Sequence, residues 1–212
     1  MRFGNFAVLS SSPEQFLTID SKRTIFSKPM KGTVKRGETI EEDKKLAEQL
    51  GKTKKDYAEN SMIVDLLRND LGKVCQFGSI AVSKFLDVET YATVHQLVST
   101  ITGILRDTVT VIEAIKAAFP GGSMTGTPKL RAIEILAEIE KQPRGIYAGT
   151  LGFLSLNGTV SLSMIIRTII ATQKQVSFGT GGAILIDSDP QSEYEEMLLK
   201  SAALMNAIRK VI

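Results

Sequence analysis

Residues 79–105, SIAVSKFLDVETYATVHQLVSTITGIL, contain two runs rich in valine, threonine, isoleucine and aromatic residues. Residues of these types are enriched in strands, and their spacing here is that of half-buried β-strands. We therefore predict a long pair of strands in this segment. Because the two runs adjoin each other in the chain, the expected pairing is antiparallel.

On the N-terminal side of this pair, short strands come first and helices follow. FAVLS at 6–10 and QFLTI at 15–19 alternate in polarity around SSPE, which predicts a β-hairpin or two neighbouring strands. RTIFSK at 23–28 predicts a third strand. The apolar period then changes to that of a helix, which predicts one helix that stops at Gly51 and a second over 52–72.

On the C-terminal side, three more helices are expected. The first lies near 109–118. The second follows Thr127 and Pro128, an N-cap and a proline at the first helical position, and covers 128–141. Asp189-Pro190 opens the last helix, which is expected to run nearly to the C-terminus.

Strands and helices together predict an α+β fold, with largely antiparallel strands and no repeated βαβ units. Asn157-Gly158 is a hairpin turn signal between two of the remaining strands. One compact catalytic domain over 1–212 is the simplest organisation. The remaining strands are predicted near 147–156, 159–171 and 175–186.

Composition excludes several classes of protein. The 212 residues are 43% hydrophobic and 23% charged, as in folded domains. Residues 20–55 carry 11 Lys and Arg against 6 Asp and Glu, but the signs alternate and aromatic residues are not interleaved, so we expect no nucleic-acid binding. No run of about 18 apolar residues occurs and the first apolar run is too short for a secretory signal. With Cys75 as the single cysteine, a reducing cytoplasm is expected.

Two acidic pairs have helical spacing. Asp56 and Glu59 are three residues apart in the second predicted helix, and Glu193 and Glu196 are three apart in the last, so each pair projects from one helix face. Four carboxylates would suit Mg²⁺, which takes oxygen ligands and keeps several waters. Acidic pairs of this kind are also common on solvated helix faces, and the spacing alone leaves both interpretations open.

Two glycine-rich segments are candidate ligand contacts. FPGGSMTG at 119–126 precedes a predicted helix start, where N–H groups and the helix dipole favour an anion. FGTGGA at 178–183 would let the backbone approach a ligand closely. A plain helix-entry turn and a tight turn or bulge explain the two segments equally well.

Four side chains each have a functional and a structural interpretation. Arg167 lies in the apolar run SMIIRTII, where a buried guanidinium needs a carboxylate partner or a ligand anion. His95, the only histidine, is either catalytic or a hydrogen-bonded core imidazole. Tyr147 could equally be a core residue. Lys200 is four residues after Glu196, which is the spacing of an ordinary helix ion pair.

No single residue decides between its functional and its structural interpretation, but the order of the motifs along the chain does. Nine strings resemble, in the same order, the motifs of the chorismate-utilising enzymes, which include anthranilate, aminodeoxychorismate, isochorismate and salicylate synthases. The resemblance covers nearly all of the chain and implies antiparallel sheets with helices packed outside. The strings are SSPEQF, KPMKGT, KDYAENSMIVDLLRND, VHQLVSTITG, FPGGSMTGTPK, RGIYAGTLG, IRT, GTGGAI and PQSEYEE.

The resemblance implies a magnesium site. By match to the family, Glu59 and Glu196 would hold Mg²⁺, and Asp56 and Glu193 would support it through water. The metal would bind the ring carboxylate of chorismate.

The resemblance also implies substrate contacts. The enolpyruvyl carboxylate of chorismate would meet Arg167, Tyr147 and the backbone amides of the GTGG cluster at Gly181 and Gly182. Ser123 and Lys200 match further positions of the substrate pocket.

Three residues match catalytic positions of the family: Glu14, Lys31 and His95. Glu14 matches an acid that faces the C4 hydroxyl, where a proton donor would help that oxygen leave. Lys31 stands in P-M-K-G-T, where aminodeoxychorismate synthases of one well-known type have P-I-K-G-T and anthranilate synthases generally have alanine. In the first group this lysine is thought to attack C2 of the ring and expel the C4 hydroxyl, and ammonia then enters at C4. That chemistry needs the uncharged amine.

The expected activity is therefore that of aminodeoxychorismate synthase component I, which makes 4-amino-4-deoxychorismate for p-aminobenzoate and folate synthesis. Ammonia would come from a glutamine amidotransferase partner. The alternatives are an anthranilate synthase component I and a non-catalytic remnant. Complete synthases resemble this chain only in their C-terminal part, so we expect an N-terminally truncated polypeptide.

Overall fold

The computed structural model describes residues 1–50 and 54–210, which fall into two compact units. The larger unit comprises Glu14–Pro143 and Thr150–Ser163, and the smaller one comprises Met1–Pro13, Arg144–Gly149 and Met164–Ile212. Gly51, the predicted stop of the first helix, lies outside the described residues.

The secondary structure is mixed, as predicted. In chain order the elements are β1 (Arg2–Phe3), β2 (Phe6–Ser10), β3 (Gln15–Ile19), β4 (Thr24–Lys28), β5 (Met30–Lys35), α1 (Ile40–Gln49), α2 (Lys54–Gly72), β6 (Ala81–Thr90), β7 (Val94–Ile104), α3 (Val111–Ala118), α4 (Lys129–Glu140), β8 (Thr150–Leu154), β9 (Val160–Met164), β10 (Thr168–Thr172), β11 (Val176–Phe178) and α5 (Pro190–Arg209).

The larger unit is built on a seven-stranded sheet, and its named strand pairs are antiparallel. The predicted pair over 79–105 is confirmed as β6 and β7. β7 pairs with β6 along one side, and with β5 and then β4 along the other. Because β7 has strands on both sides, its inward residues Leu97 and Ile101 are almost fully buried.

The helix α2 packs on this sheet through β7 and β5. Ile63, Leu66, Leu67 and Leu71 recur at helical spacing and are buried, which agrees with the helical period of this segment. These buried residues determine which face of α2 packs on the sheet. They therefore also determine the direction in which Asp56 and Glu59 project from the start of α2.

The smaller unit contains a four-stranded sheet in the order β1, β2, β10, β11, together with α5. Asp189 caps α5 by accepting a hydrogen bond from the Ser192 N–H, and Pro190 occupies its first turn, as predicted. Within the described ranges, no helix is long and apolar enough to cross a membrane.

The predicted hairpin between 6–10 and 15–19 is wrong, although both strands exist. β2 pairs with β10 in the four-stranded sheet, whereas β3 pairs with β4 and β9 in the seven-stranded sheet. Alternating polarity identifies a strand, but its partner is set by contacts far away in the chain.

The single predicted strand over 159–171 is also wrong. It is divided into β9 and β10 at Arg167, which has φ 51°, and the two strands belong to different sheets. A left-handed residue turns the chain out of the extended conformation. The strand predicted over 175–186 is shorter than expected, since only Val176–Phe178 is extended before the glycine cluster.

The start of α4 differs from the prediction by one residue. Pro128, with φ −67° and ψ 138°, is extended and occupies the N-cap position, so Lys129 and not Pro128 is the first helical residue. Thr127 is therefore not the N-cap. The turn at Asn157-Gly158 is confirmed between β8 and β9, where Gly158 has φ 86°.

The sequence did not predict β5. Gly32, with φ 72°, interrupts its pattern, and the register against β7 shifts between Lys31 and Thr33. A glycine inside a strand marks a bulge and weakens the strand signal.

Candidate active site

Lys31 stands at the β5 bulge in the larger unit and forms an ion pair with Glu59. Its Nζ lies 3.0 Å from Glu59 Oε2, and the two side chains are only 16% and 9% exposed. Poor solvation strengthens an interaction between opposite charges. This ion pair supplies Glu59 with a poorly solvated cationic partner.

Asp56, which with Glu59 forms the acidic pair on α2, is also directed towards β5. A Cβ placed on Gly32 would lie 3.7 Å from Asp56 Oδ1 and 3.2 Å from Leu50 Cδ1. Asn60, which follows Glu59 in the chain, is fully buried, and its Oδ1 accepts a hydrogen bond of 2.5 Å from the Ser99 hydroxyl on β7. This bond fixes the rotation of α2 at the turn that carries Asp56 and Glu59.

Glu14 precedes β3 and is 8% exposed. Burial raises the pKa of this carboxyl, while a hydrogen bond donated by Ser123 and the charge of Lys31 oppose the rise. A buried carboxyl with a raised pKa keeps its proton at a higher pH than an exposed one. Glu14 therefore has the character of a proton donor beside Lys31.

Ser123 lies in a short 3₁₀ turn, Gly122–Met124, between α3 and α4. A Cβ on Gly122 would come within 2.8 Å of Leu66 Cδ2 on α2, so the absence of a side chain permits this close approach. The N–H groups of Met124 and Thr125 bond back to carbonyls within the turn. The described geometry thus favours the helix-entry interpretation of this glycine turn, and its functional contact is the Ser123 hydroxyl.

The His95 imidazole is buried in β7, with protein partners at both ring nitrogens. Nε2 lies 2.8 Å from Asp43 Oδ1, and Nδ1 lies 2.9 Å from Thr90 Oγ1. A hydrogen bond from Arg36 is the main reason that the pKa of Asp43 is well below its ordinary range. In this structure His95 is a hydrogen-bonded core histidine, and its catalytic role stays a prediction. Sequence reasoning missed Asp43, which lies in the acidic first turn of α1.

In the smaller unit the glycine cluster packs on Tyr147. A Cβ on Gly179 would lie 2.3 Å from Tyr147 Cγ, whereas one on Gly181 would lie 3.4 Å from its hydroxyl oxygen. The Tyr147 ring therefore packs directly against the backbone of Gly179. This contact explains why the segment needs glycine there and brings two predicted substrate-binding elements together.

Lys200 contacts the same cluster, and Arg167 is bonded to Lys200. Arg167 Nη1 donates a hydrogen bond of 2.8 Å to the Lys200 carbonyl, and Lys200 Nζ donates one of 3.4 Å to the Gly181 carbonyl. Arg167 lies at the break between β9 and β10 and not inside a strand, and its left-handed backbone is of a kind that clusters at functional sites. Lys200 thus links Arg167 to the glycine cluster.

The acidic pair of α5 belongs to this arrangement. Glu193 is buried, and its Oε1 accepts a hydrogen bond of 2.6 Å from the Ser188 hydroxyl. A Cβ on Gly182 would lie 3.4 Å from Glu193 Oε2. Glu196 forms an ion pair with Lys200, as its spacing in the helix predicts.

The predicted metal ligands have the donor chemistry that Mg²⁺ prefers, since all four are carboxylates. Glu59 lies in the larger unit and Glu196 in the smaller one, and each is paired with a lysine. Among residues 1–50 and 54–210, no group of three or more His, Cys, Asp or Glu is arranged to hold a metal ion. The magnesium site therefore stays a prediction, and the four carboxylates are the kind of donor that this metal requires.

Comparison with known proteins gives one family. Residues 1–206 match the chorismate binding enzyme family. The chloroplastic aminodeoxychorismate synthase of Arabidopsis thaliana is 52% identical over 204 residues, which are 96% of this chain and 22% of the relative. Anthranilate synthase component 1 of Aquifex aeolicus is 41% identical over 206 residues, which are 97% of this chain and 42% of the relative.

A solved structure agrees with the fold. Anthranilate synthase component I from Streptococcus pneumoniae has a TM-score of 0.83 and 35% identity, covering 94% of this chain and 44% of that one. The α+β fold class predicted from the sequence is thereby confirmed. The chain spans between 22% and 44% of the length of these three proteins.

Proposed function

Because the chain belongs to the chorismate binding enzyme family, we propose that it is the catalytic part of an aminodeoxychorismate synthase component I. The proposed reaction converts chorismate and ammonia to 4-amino-4-deoxychorismate. One observation carries the choice of reaction: a lysine, Lys31, stands at the β5 bulge beside Glu59 and within the electrostatic influence of Glu14. Anthranilate synthases generally have alanine at this position, and alanine has no nucleophile.

Lys31 is the proposed nucleophile. Its neutral amine attacks C2 of the ring, both ring double bonds shift, C1=C2 to C1=C6 and C5=C6 to C4=C5, and the C–O bond at C4 breaks so that the hydroxyl leaves as water. The amine loses a proton as the new C–N bond forms. Ammonia then attacks C4, the two double bonds shift back, and the C–N bond at C2 breaks. The departing lysine nitrogen takes up the proton that ammonia loses, which restores the free amine.

Glu14 is the proposed general acid for the departing C4 oxygen. Burial holds its proton, and the hydrogen bond from Ser123 fixes the direction of the carboxyl. A neutral carboxyl beside the leaving hydroxyl supplies the proton that makes water the leaving group. Glu14 and Lys31 would therefore act in one step, from the same unit of the chain.

In the smaller unit, Arg167 is proposed to bind the enolpyruvyl carboxylate, with Tyr147 and the backbone amides of Gly181 and Gly182. The hydrogen bond from Arg167 to the Lys200 carbonyl orients the guanidinium against α5. A planar guanidinium can bind a carboxylate through two parallel hydrogen bonds. Lys200 adds a second positive charge next to the same backbone.

Bound Mg²⁺ would neutralise the ring carboxylate of chorismate. Glu59 is the proposed ligand in the larger unit, with Asp56 acting through water. Glu196 is the proposed ligand in the smaller unit, with Glu193 acting through water. The partner that supplies ammonia is proposed to be a glutamine amidotransferase, and the cytoplasm is the proposed location.

The experiment is chromatography of the products from chorismate, Mg²⁺ and ammonium chloride, with the full-length protein. Ammonium replaces the glutaminase, so the partner is not needed. The proposed function predicts 4-amino-4-deoxychorismate. Anthranilate as the product would show an anthranilate synthase. No product and no chorismate binding by calorimetry, in a protein shown to be folded by circular dichroism, would show a non-catalytic remnant.

A further inference from the structure

We propose that Asp70 and Lys129 form a positioning pair that holds the Ser123 turn against Glu14. Neither residue is a predicted site residue. This role rests on the proposed function, because it is the acid Glu14 that the pair would orient.

The pair is a buried ionic contact between two helices. Asp70 lies near the C-terminal end of α2 and is 2% exposed, and Lys129 is the first residue of α4, with its side chain 13% exposed. Lys129 Nζ contacts Asp70 Oδ2 and also donates a hydrogen bond of 3.1 Å to the Ala118 carbonyl at the end of α3. One ammonium group therefore joins the ends of three helices.

This ammonium closes the segment that carries Ser123. The segment 119–128 starts directly after Ala118, whose carbonyl is bonded to Lys129 Nζ, and ends directly before Lys129 in the chain, so both of its ends are tied to Lys129. Its middle is fixed at Gly122, which packs against Leu66 of α2. α2 thus supports the segment at two places, one of them through Asp70.

The segment contacts both Glu14 and the strand that follows it, β3. Ser123 donates a hydrogen bond to Glu14, and the Phe119 ring lies edge-on to the Phe16 ring at a centroid distance of 6.4 Å. A displacement of the segment would move the hydroxyl that orients the carboxyl. Without Lys129, the buried Asp70 carboxylate would keep only the exposed Lys73 as a cationic partner, and a buried charge that loses part of its pairing is costly.

Lys73 provides a matched control. Its Nζ lies 2.9 Å from the other oxygen of Asp70, but its side chain is 58% exposed, and the contact is within one turn of α2 and its end. Lys73→Met removes the same charge from the same carboxylate without touching the ends of the segment. An effect seen in Lys129→Met but not in Lys73→Met would therefore come from the position of the lysine and not from the loss of its charge.

The experiment compares Lys129→Met, Lys129→Arg, Lys73→Met and Ser123→Ala in the full-length protein. The pKa of the Glu14 carboxyl is measured by ¹³C NMR, with Glu14→Gln to assign the signal, and kcat and KM are measured with ammonium chloride. Lys129→Met is expected to raise the pKa of Glu14, as Ser123→Ala does, and to lower kcat about tenfold with KM changed by less than about threefold. Lys129→Arg is expected to restore both quantities, and Lys73→Met to leave both unchanged.

A folded Lys129→Met protein with the wild-type pKa of Glu14 would overturn the proposal, and so would equal effects of Lys73→Met. If Lys129→Met does not fold, the double variant Asp70→Asn with Lys129→Met removes the pair without leaving a buried carboxylate that has lost its partner, and is read in the same way. The NMR measurement needs no turnover. A shifted pKa in a protein that makes no aminodeoxychorismate would therefore support the positioning pair while refuting the proposed function.

Discussion

At the scale of single residues, three predicted site residues of the larger unit, Glu14, Lys31 and Glu59, are linked by charge. Lys31 and Glu59 form an ion pair at 3.0 Å, and Glu14 lies within the electrostatic influence of Lys31. Lysine is thus the cation at Glu59 in this structure. A divalent cation bound by Glu59 would compete with it.

The first prediction follows from that competition. Lys31→Met removes a positive charge from beside Glu59, so Mg²⁺ should bind about tenfold more tightly, which is about 1.4 kcal/mol. Calorimetry in the absence of chorismate measures the affinity directly. Lys28→Met is the control, because Lys28 pairs with Glu89 at 2.7 Å. Equal affinities of the two variants would show that Lys31 does not compete with the metal.

The second prediction concerns pH and Glu14. Its pKa is raised above the ordinary 4.5, so the folded state keeps a proton that the unfolded state has lost, and stability falls as pH rises from 4.5 to the raised pKa. In this window wild type should lose about 1.4 kcal/mol per pH unit relative to Glu14→Gln. Urea unfolding at several pH values measures the difference.

Glu113 provides a control of opposite sign. Hydrogen bonds from Thr110 lower the pKa of Glu113, so wild type should gain stability relative to Glu113→Gln as pH rises through the acid range. The same trend in both variants would mean that Glu14 is not buried as a neutral acid.

At the scale of elements, glycines place the side chains of the predicted site. Gly32 forms the bulge that presents Lys31, Gly122 lets the Ser123 turn approach α2, and Gly179 supports the Tyr147 ring. In each case the neighbouring functional residue is held by contact with backbone or with a packed side chain. Added bulk at these positions should therefore have local effects.

The third prediction tests Gly179 against Gly181. A Cβ at Gly179 would lie 2.3 Å from the Tyr147 ring, so Gly179→Ala should lower the free energy of unfolding by about 1–3 kcal/mol and displace the ring. A Cβ at Gly181 would lie 3.4 Å from the same side chain, and Gly181→Ala should cost little. Thermal unfolding gives the stabilities, and tyrosine fluorescence reports the ring. Equal losses in both variants would contradict this packing.

Most of the helices, strands and turns could be predicted from the sequence, because they have local sequence signals. The period of α2, the cap of α5 and the turn at Gly158 are examples. Strand partners distant in the chain could not be predicted, since β2 and β3 adjoin each other in sequence and pair in different sheets. The bulge at Gly32 and the break at Arg167 were missed for a related reason: both depend on a left-handed residue that tertiary contacts hold in place.

At the scale of the whole molecule, the predicted site residues fall into two groups. Glu14, Lys31, Glu59 and Ser123 are brought together in the larger unit, and Tyr147, Arg167, Lys200 and the glycine cluster in the smaller one. The motif order predicted the members of each group. It could not predict Lys31 as the partner of Glu59, or the pair formed by Asp70 and Lys129, because these depend on how α2 packs against β5 and α4.

The central claim is that Lys31 forms a covalent bond to the substrate ring. Intact-mass spectrometry of the full-length protein, quenched after mixing with chorismate and Mg²⁺ without ammonia, tests this claim most directly. We expect an adduct with the mass of chorismate less one water, located on the peptide that contains Lys31 and absent from Lys31→Ala. A wild-type protein without the adduct, together with a Lys31→Ala variant that makes aminodeoxychorismate at the wild-type rate, would contradict the claim.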